Sequence, residues 1–145
     1  MQSLMDKKNG YYRAYLEGIT SEDLLPGALA LLKKLQAMQY RLALASASRN
    51  AKTVVSRLGI ESCFEVIADG KSVKKTKPAP DIFLFAARQL LLDPQACLVV
   101  EDAEAGIAAA KAAGMTTIGI GPVERVGAAD HIYPSVAAIR LAEII

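Results

Sequence analysis

Arg41-Leu42-Ala43-Leu44-Ala45-Ser46-Ala47-Ser48-Arg49-Asn50 is the stretch that decides the fold. Its first half is an apolar run of the length of a buried strand. Its second half is polar and leads straight into a segment with helical spacing. Upstream, Ala28, Leu31, Leu32, Leu35 and Met38 recur at helical intervals, so a helix is expected from about Gly27 to Gln39. Downstream, Asn50 stands where a helix needs a cap, Val54, Val55 and Leu58 form the inner face, and Gly59 ends it.

The same alternation continues outward. Phe64 to Ala68 reads as a second strand, and a polar loop then leads to Lys77-Pro78-Ala79-Pro80. Pro80 suits the first turn of a helix that contains Ile82, Phe83, Ala86 and Leu90. Cys97 to Val100 is a third strand, Glu104 to Ala113 an alanine-rich helix closed by Gly114, and Thr116 to Ile120 a fourth strand. A short final helix is expected over Ser135 to Ile145. At the amino end, residues 3 to 17 read as a helix with Leu4, Met5, Tyr12, Tyr15 and Leu16 as its apolar members and Gly18 as its stop. Thr20 to Pro26 is a connector. Nearly continuous apolar strands alternating with helices imply an α/β fold with a parallel sheet covered on both faces.

The 145 residues fit one domain, and a net charge of +2 with no clustered basic face gives no reason to expect nucleic acid or a membrane as partner. Lys71, Lys74 and Lys75 read as a solvated loop. No stretch approaches the roughly 20 apolar residues of a membrane span, and the residues after Met1 do not resemble a secretory signal. Cys63 and Cys97 each flank an apolar run, where a buried free thiol is the ordinary reading, so a cytoplasmic, reducing location is expected.

In such a sheet, ligands collect at the carboxyl ends of the strands. The first strand ends in Ser46-Ala47-Ser48-Arg49-Asn50, whose hydroxyls and N–H groups at a helix start form either a plain cap or an anion site. Lys77 precedes a turn stiffened by Pro78 and Pro80. It is either a surface lysine or an ammonium held in place against phosphate oxygens. Glu101-Asp102 ends the third strand. Two adjacent carboxylates repel, and the offset is either helix amino-terminal charge, with Asp102 as cap, or a bound Mg²⁺. Gly119-Ile120-Gly121-Pro122 lacks the third glycine of a dinucleotide fingerprint and reads as a turn. An anion binder, a cation and a carboxylate pair at one sheet edge are what phosphoryl transfer needs.

The order strand–Ser, Lys-Pro, strand–Glu-Asp followed by Ala105-Gly106-Ile107 resembles the haloacid dehalogenase superfamily over nearly the whole chain. Leu44 to Asn50, Lys77-Pro78-Ala79-Pro80-Asp81-Ile82-Phe83 and Glu101 to Ile107 resemble its β-phosphoglucomutase branch more closely. The resemblance implies a Rossmann-like three-layer core. It implies that Ser46 and Lys77 stabilise the transferring phosphoryl group. Ser46, Ala47, Ser48, Arg49, Asn50 and Lys77 would contact phosphate and sugar, and Glu101 and Asp102 would serve Mg²⁺. Residues 1–20 resemble the last helix of the family's helical cap, and 21–145 its core.

Members of this family begin with a strand ending in Asp-x-Asp, whose first carboxylate becomes an aspartyl phosphate. None of Asp6, Asp23, Asp69, Asp81, Asp93, Asp102 and Asp130 belongs to such a pair. The expectation is a core lacking its first strand, with a gap between the strands at 41–46 and 97–100. Its unpaired edges would invite self-association. The activity implied is conversion of β-glucose 1-phosphate to glucose 6-phosphate by a fragment inactive alone. The alternatives are a sugar-phosphate phosphatase of the same superfamily and a non-catalytic phosphosugar-binding module.

Overall fold

The structure is a computed structural model, and it describes residues 27–144 together with the backbone of residues 2–4. Six parallel strands form one sheet in the order β3-β2-β1-β4-β5-β6. They are β1 (Gln2–Leu4), β2 (Leu42–Ala45), β3 (Val66–Ala68), β4 (Leu98–Glu101), β5 (Thr116–Ile120) and β6 (His131–Tyr133). The helices are α1 (Ala28–Ala37), α2 (Ala51–Arg57), α3 (Asp81–Gln89), α4 (Glu104–Ala112) and α5 (Val123–Val126).

Every residue of β2 and of β4 is buried. Successive strand residues point to opposite faces, so burial of all of them means that both faces of the sheet are covered. The cover comes from the apolar stripes of the helices: Leu31, Leu32 and Leu35 of α1, Val54 and Val55 of α2, and Ile82, Phe83 and Ala86 of α3. In α4 small side chains dominate the inner face, with Ile107, Ala109 and Ala110 buried.

Three expectations are corrected. The helix expected from residue 3 does not begin there: Ser3 and Leu4 belong to β1, and the remainder of 5–17 lies outside the described residues, as does the Thr20–Pro26 connector. The central gap is filled. Gln2 stands opposite Leu42 and Leu98, Ser3 opposite Ala43 and Val99, and Leu4 opposite Leu44 and Val100. A short extended segment satisfies the inward-facing N–H and C=O groups of both neighbours at once, which is what an unfilled slot between two strands demands. The central edges invoked for self-association are therefore paired at these positions, and β3 and β6 form the sheet's outer edges.

The final helix is replaced by two isolated 3₁₀ turns, Val136–Ala138 and Leu141–Glu143, with Ile139 and Arg140 extended between them. Val136 and Leu141 are both buried. Five positions apart on one helix they would diverge by about 140°, so the break lets both face inward. The strand β6 and the four-residue α5 have no counterpart in the sequence reading, since a three-residue edge strand carries almost no periodic signal.

Candidate active site

The carboxyl ends of β2 and β4 flank β1, and one side chain bridges them. Lys77 reaches in from the loop before α3, with Nζ 3.0 Å from Glu101 Oε2 and 3.5 Å from the carbonyl of Ala45. The ammonium also lies 4.9 Å from the centre of the Phe83 ring, whose π face favours a cation. The pair is nearly sealed from solvent, with side-chain exposures of 7% and 0%. The loop that delivers Lys77 is closed by Ala79 N–H donating to the Thr76 carbonyl at 3.0 Å, and α3 starts directly behind Pro80.

Glu101 ends β4, and its other oxygen is also engaged. Oε1 accepts the backbone N–H groups of Asp102 at 3.0 Å and Ala103 at 3.2 Å. This answers how two adjacent carboxylates coexist. Glu101 is turned inward against Lys77 and the first peptides of the following turn, while Asp102 remains half-buried. Asp102 is not the cap of α4: that position is Ala103, and no side chain caps it. The inward carboxylate needs a glycine beside it. A Cβ on Gly106, in the first turns of α4, would overlap the Glu101 carboxylate.

Ser46 is the next residue after β2 and is buried. Its N–H continues the sheet by donating to the Ala68 carbonyl at 2.9 Å. Its Oγ accepts the N–H of Ser48 at 3.2 Å, and Ser48 Oγ accepts the N–H of Asn50 at 3.0 Å. A hydroxyl has one donor besides its lone pairs, so accepting from Ser48 leaves the Ser46 proton available to donate. Asn50 occupies the cap position of α2 without a side-chain capping bond. Its φ of −104° and ψ of 14° lie outside the extended region from which a cap reaches the next turn. Ala47, Arg49 and Asn50 are exposed. The loop is tied sideways to the end of β3 by Gly70 N–H donating to the Ser48 carbonyl at 3.1 Å.

Ser46, Lys77 and Glu101 are thus brought to one corner, with Asp102 beside it and Ala47 to Asn50 along its rim. Two contacts lie beyond what local spacing indicates. Lys77 neutralises Glu101, which spacing could not indicate across 24 residues. Arg125 of α5 donates from Nε to the Asp102 carbonyl at 2.7 Å. Its only signal was the glycine pair at 119 and 121, where close backbone approach is to be expected. The two cysteines are free: Cys97 is buried, which pushes its thiol pKa up, and Cys63 is half-buried. Among the described residues no cluster of three His, Cys, Asp or Glu side chains is placed to hold a metal. No helix among them is long and apolar enough to cross a membrane.

A model of the haloacid dehalogenase-like hydrolase family matches residues 3–114. Over 140 residues the chain is 42% identical to β-phosphoglucomutase of Bacillus subtilis, covering 97% of this chain and 62% of that protein. Over 105 residues it is 39% identical to hexitol phosphatase A of Escherichia coli, covering 72% and 47% respectively. Its fold superposes on the crystal structure of β-phosphoglucomutase from Clostridium difficile with a TM-score of 0.87 at 39% identity, covering 95% of this chain and 62% of that one. The chain therefore spans less than two thirds of the length of each of these relatives.

Proposed function

The chain belongs to the haloacid dehalogenase-like hydrolase family, and from that premise we propose that its Ser46–Lys77–Glu101–Asp102 corner is the phosphoryl site of a β-phosphoglucomutase-type phosphotransferase acting on a phosphorylated sugar. The observation that carries this reading is the buried Lys77–Glu101 pair at the carboxyl edge of the sheet. Hiding two charges costs several kcal/mol per ion before their attraction is counted, roughly, and such a pair is weak evidence for stability. Where ligands collect, it is a cation held ready for phosphate oxygens.

In this reading the Ser46 hydroxyl donates a hydrogen bond to a phosphoryl oxygen, and Lys77 offsets the charge on the same group. Glu101 orients Lys77. Arg49 and Asn50 meet the phosphate and sugar at the rim. Mg²⁺ keeps several waters and takes one or two carboxylates plus substrate phosphate oxygens. Half-buried Asp102, directly after β4, offers one carboxylate of that partial set, and the Glu101 oxygens beside it hold Lys77 and backbone N–H groups. When bound, the ion supplies neutralisation of phosphoryl charge. No Asp-x-Asp occurs in the 145 residues. We therefore assign the chain by itself binding of the phosphosugar, with the covalent step outside it.

Titration of the chain with β-glucose 1-phosphate and Mg²⁺ tests this, run beside assays for glucose 6-phosphate and for free phosphate. Saturable binding without either product is expected. Glucose 6-phosphate would mean that the chain completes the mutase reaction itself. Free phosphate alone would replace the mutase by a sugar-phosphate phosphatase, the reading favoured by the similarity to hexitol phosphatase A. A folded chain that binds nothing would remove the site altogether. A non-catalytic phosphosugar-binding module is the reading of another class; binding without turnover in a longer form that carries Asp-x-Asp would favour it.

A further inference from the structure

The peptide that joins Asp102 to Ala103 is held from both sides by charged side chains. Its N–H, on Ala103, donates to Glu101 Oε1 at 3.2 Å, and its C=O, on Asp102, accepts from Arg125 Nε at 2.7 Å. The preceding peptide is held too, since Asp102 N–H donates to the same Glu101 oxygen at 3.0 Å. A peptide is a rigid plane, so gripping both of its edges fixes the backbone torsions on either side. The direction in which the Asp102 side chain leaves the chain is then fixed as well.

The placement of Arg125 is built into the segment after β5. Gly119 lets α5 sit directly on the strand: a Cβ there would lie 2.7 Å from Val126 Cβ and 2.9 Å from Ala129 Cβ, and Val126 is fully buried. Gly121, with φ of +129°, carries the chain round and leaves the space that the Arg125 guanidinium occupies. The glycines that do not form a dinucleotide fingerprint therefore seat an arginine.

We propose that Arg125 is a positioning residue for Asp102, holding the carboxylate that receives Mg²⁺ through that residue's own peptide; this rests on the assignment of Asp102 under Proposed function. The sign of the effect separates positioning from simple charge. A cation beside a metal site repels the ion, so charge alone predicts tighter Mg²⁺ binding when Arg125 is removed. Positioning predicts weaker binding.

The test uses the 145-residue chain with Arg125→Ala, Arg125→Lys and, as control, Glu124→Gln at the exposed neighbouring position. Amide hydrogen exchange at Ala103 is measured without metal, and Mg²⁺ affinity by calorimetry. Arg125→Ala should exchange roughly fivefold faster at Ala103 and bind Mg²⁺ about tenfold more weakly. Arg125→Lys keeps the charge but loses the planar Nε donor and should move both readouts in the same direction. Glu124→Gln should move neither. Unchanged exchange at Ala103, or equal or tighter Mg²⁺ binding in Arg125→Ala, overturns the inference. If the wild-type chain takes up no Mg²⁺, Asp102 is no metal ligand and the reading beneath fails, while the exchange rates still decide whether Arg125 holds the peptide.

Discussion

Two ion pairs of almost equal length sit at opposite ends of the sheet. Lys77–Glu101, at 3.0 Å, lies at the carboxyl ends of β2 and β4 and is nearly sealed. Arg41–Glu65, at 2.9 Å, lies just before β2 and β3, with side chains 44% and 50% exposed. Arg41 also donates from Nη1 to the Leu90 carbonyl at 2.6 Å, tying the end of α3 to the start of β2. The exposed pair is a surface tether in high dielectric. The buried pair keeps charge where ligands gather, at a desolvation cost that stability alone does not call for. Distance does not distinguish them; burial and the end of the sheet do.

The largest effect expected is at Lys77. Lys77→Ala leaves the Glu101 carboxylate buried without its cation and should cost about 3–5 kcal/mol in urea unfolding, together with loss of phosphate binding. The double variant Lys77→Met with Glu101→Gln sharpens the contrast. It should regain much of the stability, because no buried charge remains, and none of the phosphate affinity. Recovery of both would show that the pair serves only the fold.

Gly106→Ala comes next. On helix propensity alone the change should stabilise α4 by up to about 1 kcal/mol. The overlap with the Glu101 carboxylate should reverse the sign and destabilise by about 1–3 kcal/mol. A raised denaturation midpoint would break the account of how that carboxylate is housed. Glu65→Ala, at the other end, should cost no more than about 1 kcal/mol. That cost should shrink with added salt, and phosphate affinity should not change.

The smallest effect concerns a third way of holding a carboxylate, by neutral donors. Asp130 Oδ2 accepts the N–H of Thr117 at 2.8 Å and its hydroxyl at 3.0 Å, and the backbone hydrogen bond from Thr117 is the main cause of its lowered pKa. With the folded pKa below the unfolded one, its contribution is present above the ordinary carboxylate value, about 3.9. It is lost as pH falls through the folded value. The stability gap between wild type and Asp130→Asn should therefore be full at neutral pH and narrow below that value, as followed by unfolding at a series of pH values.

Much of the fold is legible in the chain because its signals are local. Leu31, Leu32 and Leu35 repeat at helical spacing, and Leu42 to Ala45 and Leu98 to Val100 are apolar throughout, so α1, β2 and β4 announce themselves. Ser3 and Leu4 carry no strong strand preference, and the place of β1 follows instead from two neighbours that each need a partner. The tail departs from a helix because Val136 and Leu141, five positions apart, would face different ways on one, and both are buried in the same interior.

The candidate site divides in the same way. The turn from Ser46 to Asn50 is closed by hydrogen bonds between residues two apart, so its residue types already describe it. The sequence by itself determined the alternating α/β plan and which residues stand at the strand ends, since periodicity and turn chemistry act over a few positions. Only the tertiary structure decided that Lys77 neutralises Glu101 and that Arg125 grips the Asp102 peptide. Those contacts join residues 24 and 23 positions apart, and no local preference encodes the relative placement of segments that meet only when the sheet has formed.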